Sequence, residues 1–162
     1  MIRRAAANGA LMAASMPAVV RLRRALMDPR AAQQAVLSRL LADNAGSAFG
    51  REHGLRRALT LAEFRSAVPV RNYDGHAPWV RRATAGEKGV LTSEPVRLFE
   101  VTSGSSGAQK HIPYTASLQR EFRSAVGAWL GELALERPAV MAGPSYWSVT
   151  PLSRAPSRTA GG

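Results

Sequence analysis

Leu98-Phe99-Glu100-Val101-Thr102-Ser103-Gly104-Ser105-Ser106-Gly107-Ala108-Gln109-Lys110-His111-Ile112-Pro113-Tyr114-Thr115 is the stretch that decides how this 162-residue chain is read. With Val96 and Arg97 ahead of it, its first part alternates apolar and charged residues, the period of a strand with one buried face. Lys110 to Thr115 is a second extended piece, in which Pro113 argues for an edge position. Between them, Thr102 to Lys110 carries two glycines and four hydroxyls. Glycines at 104 and 107 let a backbone turn sharply and approach a ligand closely. Hydroxyl and amide donors without carboxylates suit an anion, and Lys110 adds a full positive charge just beyond them.

Three readings compete for this segment. A Walker-type loop needs Gly, four residues, then Gly-Lys-Ser/Thr; counting from Gly104 lands on Gln109, so that motif is absent. A serine-nucleophile elbow needs Gly-x-Ser-x-Gly, and Gly104-Ser105-Ser106-Gly107-Ala108 is a near miss. Its acid and histidine should follow in that order, yet the sole histidine after Ser106 is His111 and no aspartate follows Asp74. The third reading is a plain polar hairpin loop.

Outward from this stretch the chain alternates helices and extended pieces. Downstream, Ser117 to Glu136 is the clearest helix, with Leu118, Phe122, Ala125, Val126, Trp129 and Leu133 on one apolar face, Trp129 expected in the core, and Pro138 after its end. Val140-Met141 and Tyr146 to Thr150 read as further strands, and the last twelve residues carry no periodicity. Upstream, Asp28-Pro29 opens a helix whose pairs Val36/Leu40 and Leu37/Leu41 form an apolar face and which ends at Asn44-Ala45-Gly46. Phe49 to Gly54 reads as a polar loop in which His53 is a surface or hydrogen-bonding residue, and Thr60-Leu61-Ala62-Glu63 as a capping box opening a helix that Val68-Pro69 stops. A further helix is expected from Pro78 to Gly86. At the N-terminus, Arg3 and Arg4 precede a small, apolar segment that Asn8, Gly9 and Pro17 interrupt; the expectation is a surface-docked helix rather than a secretory signal, in a cytoplasmic chain. The domain expectation is a basic helical segment over 1–27 and one domain portion over 28–162.

Composition narrows the function classes. The chain is 46% apolar and 20% charged, as a packed core requires, and no stretch reaches the roughly 18 apolar residues of a membrane span. With no cysteine there is no disulfide, thiolate metal site or cysteine nucleophile. His53, His76 and His111 are too widely spaced for two ligands on one helical turn. The net charge of +11 raises the question of nucleic acid, but only Lys88 and Lys110 among the 22 basic residues are lysine, and there is no run of five like charges. A solvated basic surface, without specific nucleic-acid binding, is the expectation.

Strand, T-S-G-[ST]-[ST]-G-x-x-K and a second strand resemble the phosphate-binding loop of the adenylate-forming superfamily, with Gln109 where proline is usual. The whole run LFEVTSGSSGAQKHIPYTASLQREF is similar to the GH3 auxin-responsive promoter family of acyl acid–amido synthetases, particularly its bacterial members. NAGSAFGREHGL, FRSAVPVRNYDGHAPWVRRATAGEKGVLTSEPV and YWSVTP resemble other segments of that family in the same order. The resemblance implies the N-terminal portion of a large α/β adenylate-forming domain, helices followed by the first strands of a larger sheet, incomplete in this chain. It further implies activation of a small carboxylic acid by ATP and Mg²⁺ to an acyl-adenylate and pyrophosphate, then acyl transfer to an amine or amino acid. Carried over, Ser103, Gly104, Ser105, Ser106 and Gly107 cradle the ATP phosphates and Lys110 adds charge near their β/γ end. The acidic Mg²⁺ ligand is expected outside this chain, with Glu100 in a surface or cross-strand role, and Arg71, Tyr73 and Asp74 fall in a family segment to which no role is assigned. The chain is expected to be a fragment, inactive alone; the alternative is a non-catalytic small basic protein that binds nucleotide or nucleic acid.

Overall fold

Several helix starts in this chain are set by residues whose side chains accept from first-turn amides that lack an intrahelical acceptor. The computed structural model describes residues 2–102, 110–144 and 146, residues 2–5 by backbone alone. Helix α1 runs over Ile2–Met27 and α2 over Pro29–Asn44, with Pro29 at the first helical position, where its lack of an N–H costs nothing. Ser47 caps α3 (Ala48–Glu52) by accepting from the Gly50 N–H, and Asn72 caps α5 (Tyr73–Thr84) by accepting from the Gly75 N–H. The capping box expected at Thr60 is present on α4 (Leu61–Ala67): Thr60 accepts from the Glu63 N–H at 3.2 Å and the Glu63 carboxylate accepts from the Thr60 N–H at 2.7 Å.

Two strands follow, β1 (Leu98–Val101) and β2 (His111–Tyr114), paired antiparallel with Leu98 opposite Tyr114 and Val101 opposite His111. Helix α6 (Ala116–Glu136) and a 3₁₀ turn over Pro138–Ala142 complete the described elements. The described residues are thus mostly helical with one small antiparallel sheet between α5 and α6, consistent with the expected incomplete N-terminal portion of an α/β domain.

The described chain divides into two compact units. In one, which contains residues 30–119, Trp79, Ala83 and Val90 form the core, with Phe49, Leu91 and Phe99 packed against them. The amides of Ala48 and Phe49 donate to the carbonyls of Gly89 and Val90, which ties the start of α3 to the segment ahead of β1. In the other, which contains α1 and the described residues 120–144, Ala18 and Val19 of α1 meet the small-residue side of α6, where Gly127 and Gly131 admit them. Arg23 and Glu132 add a bidentate ion pair, both bonds 2.8 Å, and Asn8 donates to the Met141 carbonyl.

Several expectations are corrected. The segment from Phe49 is no loop: Ser47 supplies a cap and residues 48–52 close a short helix. Helix α5 starts at Tyr73, five residues before Pro78, because Asn72 is the capping residue; Pro78 lies inside it. On α6 the buried side is Ala128, Gly131 and Ala134, while Phe122 and Trp129 are 60% and 61% exposed, so the two largest residues of the expected face lie off the packed side, and Val126 and Leu133 are half-buried. Close approach of two helices selects small residues at the contact, and this overrides the side with the greater apolar mass. On α2 only the Leu37/Leu41 pair turns inward; Val36 and Leu40 are exposed. Val140-Met141 belongs to the 3₁₀ turn, with Pro138 at its start, and is not a strand. Tyr146 is exposed outside any strand, and Trp147 to Thr150 lie outside the described residues.

Candidate functional site

Of the residues on which the phosphate reading depends, the β1–β2 pair places Lys110. Its ladder closes at Thr102, whose N–H donates to the Lys110 carbonyl at 3.0 Å. Lys110 therefore stands at the mouth of the hairpin, half-buried, one residue before β2. Ser103, Gly104, Ser105, Ser106 and Gly107 lie outside the described residues. Phe99 and Val101 form the inward side of β1, and Leu98 and Glu100 the outward side. Glu100 is exposed opposite Ile112, as a surface or cross-strand residue should be.

Tyr73, for which sequence reasoning found no role, is the residue that joins Lys110 to the helical part of the chain. It opens α5, with Asn72 fixing the entry of the backbone. Its hydroxyl accepts a hydrogen bond from the His111 N–H at 2.9 Å. Val101 and His111 face each other between two hydrogen-bonded pairs of the ladder, so the His111 amide points away from β1 and is satisfied from α5 instead. The Lys110 ammonium lies 5.7 Å from the centroid of the Tyr73 ring, within cation–π range. No spacing rule relates residue 73 to residue 110; Asn72 ahead of an aromatic residue was the only local signal, and it speaks of a helix start.

Behind Tyr73, α5 is anchored by aromatic packing. Trp79 is 7% exposed, donates its indole N–H to Glu52 at 3.2 Å and meets Phe49 edge-on at 5.2 Å between ring centroids. His53 stacks on Phe49 at 4.1 Å and its Nδ1 is 2.9 Å from the Phe49 carbonyl oxygen. The hydrogen-bonding expectation for His53 holds, but the residue is buried rather than at the surface. Arg71 folds its guanidinium over the Trp79 ring at 5.2 Å. Gly75 permits this, since a Cβ there would stand 2.9 Å from the Arg71 Cβ. Arg71, just ahead of the cap, and Tyr73, the first residue of α5, thus make different contacts, one with the core and the other with the strand. Asp74, at the N-terminal end of α5, complements the helix dipole.

Beyond the ladder, Glu94 accepts from both the N–H and the hydroxyl of Ser117, and the Leu118 N–H donates to Thr115 Oγ1 at 3.2 Å. These bonds satisfy the first amides of α6 and hold its start against the segment that leads into β1. Among the described residues no cluster of three or more histidine, aspartate or glutamate side chains could hold a metal ion, and no helix is long and apolar enough to cross a membrane.

Residues 18–151, which hold most of these elements, match the GH3 family N-terminal domain. The chain belongs to the GH3 family. Among its relatives, the indole-3-acetic acid-amido synthetase GH3.8 of Oryza sativa subsp. indica is 35% identical over 83 residues, 51% of this chain and 14% of that protein. The indole-3-acetic acid-amido synthetase GH3.6 of Arabidopsis thaliana is 31% identical over 93 residues, 57% of this chain and 15% of that protein. The jasmonoyl-L-amino acid synthetase GH3.3 of Oryza sativa subsp. japonica is 31% identical over 97 residues, 59% of this chain and 21% of that protein. The matched stretch therefore spans between about one seventh and one fifth of these acid–amido synthetases.

Proposed function

We propose that this chain carries the phosphate-binding part of an ATP-dependent acid–amido synthetase, which activates a small carboxylic acid as its acyl-adenylate with release of pyrophosphate and then passes the acyl group to an amine or amino acid. The observation that carries the reading is Lys110 at the mouth of the β1–β2 pair, in a chain of a family whose relatives are acid–amido synthetases. The donor set suits polyphosphate: the hydroxyls of Ser103, Ser105 and Ser106, the amides at Gly104 and Gly107 and the Lys110 ammonium, with no carboxylate from Val101 to Arg120. When the carboxylate attacks the α-phosphorus, negative charge grows on the departing pyrophosphate. Fixed donors and a cation held near it stabilise that charge, and none of the serines needs to act as a nucleophile. ATP supplies the energy of activation; this chain's residues bind and orient its phosphates.

The test is acid-dependent ATP–pyrophosphate exchange in a longer protein that includes these 162 residues, over a panel of carboxylic acids. Lys110→Ala should lower exchange about 100-fold, the scale of losing one stabiliser of transition-state charge, with little change in melting temperature. Equal loss of exchange and of melting temperature would make the hairpin a structural element. The 162-residue chain alone should show no exchange; robust turnover would contradict its reliance on further residues.

A further inference from the structure

We infer that Tyr73 is a positioning residue for Lys110, holding the ammonium at the mouth of the hairpin for a polyphosphate ligand; this rests on the phosphate-binding reading above. Two contacts reach neighbouring residues from one side chain. The ring faces the Lys110 Nζ at 5.7 Å, and the hydroxyl accepts from the His111 N–H at 2.9 Å. The second contact fixes the backbone from which Lys110 projects, and the first limits where its four-carbon stem can swing. Lysine is a flexible point charge that gives up rotamer freedom when fixed, so a preformed restraint lowers what a ligand must offset. Tyr73 is itself fixed, as the first residue of a helix whose far side is locked by Trp79. A merely structural tether would need only the hydroxyl; the ring over the ammonium is the feature that tether does not explain.

The experiment uses the isotope-labelled 162-residue chain and the variants Tyr73→Phe, Tyr73→Leu, Lys110→Ala and Tyr73→Leu/Lys110→Ala. Each is titrated with MgATP and, separately, with sodium tripolyphosphate, while NMR follows the Lys110 side-chain resonances and the exchange of the His111 amide. Tyr73→Phe should keep the ring-current shift on the Lys110 Cε protons and an affinity within about twofold, and should speed His111 amide exchange. Tyr73→Leu should abolish the ring-current shift and weaken both probes about two- to fivefold. Lys110→Ala should weaken them further, and adding Tyr73→Leu to it should cost nothing more, because the tyrosine acts through the lysine. A folded Tyr73→Leu variant with wild-type affinity overturns the inference, as does an additive double variant. Should Tyr73→Leu fail to fold, Tyr73→Phe decides: loss of the Lys110 shift with the ring still present overturns it. Wild-type affinity in Lys110→Ala would instead topple the phosphate reading itself, recognisable because the ring-current shift in the wild-type chain would remain.

Discussion

Trp129 and Gly131, two residues apart on one helix, have roles opposite to those their composition suggests. The tryptophan is 61% exposed, so Trp129→Gln should change the stability of this chain by no more than about 0.5 kcal/mol in urea unfolding. The glycine is buried against α1, and a Cβ there would fall 2.3 Å from the Val19 Cγ2. Gly131→Ala should therefore cost about 1–3 kcal/mol, with Val19→Ala in the same chain recovering part of it by making room. Gly50 is tighter still: a Cβ would meet the Asn44 carbonyl oxygen at 2.0 Å, and backbone cannot swing aside as a valine methyl can. Gly50→Ala should cost about 3 kcal/mol or more, seen as a lower urea midpoint. The sequence lists these glycines but does not say what approaches them, because the approaching atoms come from α1 in one case and from the carbonyl that ends α2 in the other.

At the scale of the element, caps were the most legible feature. The Thr60-to-Glu63 box was readable because both partners lie within one turn, where sequence distance and spatial distance coincide. Thr60→Ala should cost about 1 kcal/mol in thermal unfolding. The Glu63 carboxyl is held below the usual carboxylate range, first by the Thr60 backbone N–H, then by the Thr60 hydroxyl, with Arg56 adding to them. A carboxyl whose folded value is depressed stabilises the fold fully above its unfolded value, near pH 4.3, and loses that contribution as pH falls through the folded value. Acid unfolding followed by circular dichroism should accordingly become less steep below about pH 4 in Glu63→Gln, which keeps an acceptor but cannot titrate. Helix α5 is the complementary case: Pro78 suggests a start, yet Asn72 opens the helix five residues earlier, and Pro78 sits inside it without an N–H to donate. The strands were found by alternation, but Leu98 and Phe99 are adjacent apolar residues, so the phase was undetermined until Phe99 joined the Trp79 core.

At the scale of the whole molecule, the +11 charge and the phosphate reading predict different responses to salt. Retention of duplex DNA on this chain should fade as salt rises past about 0.2 M, since it rests on counterion release from scattered arginines, and Lys110→Ala should leave it almost unchanged. Binding of MgATP should respond to Lys110→Ala at every salt concentration; a DNA affinity that depended on Lys110 in the same way would favour a nucleic-acid surface. Within the α1–α6 unit, Arg23 holds the Glu132 carboxyl below its usual range, through their hydrogen bonds first and their charges second. This too is a contribution present near neutrality and lost on acidification below about pH 4.

The sequence by itself determined the starts of α2 and α4, the two strands, the family and the single lysine beside a hydroxyl-rich stretch, because each is written in residues close together along the chain. Only the tertiary structure decided which face of α6 is buried, that His53 lies under Phe49, and that Tyr73 reaches across 38 residues to His111 and Lys110. Local patterns record what a backbone can do within a turn or two. Packing chooses among faces by which atoms of distant elements fit, and that choice has no local spelling.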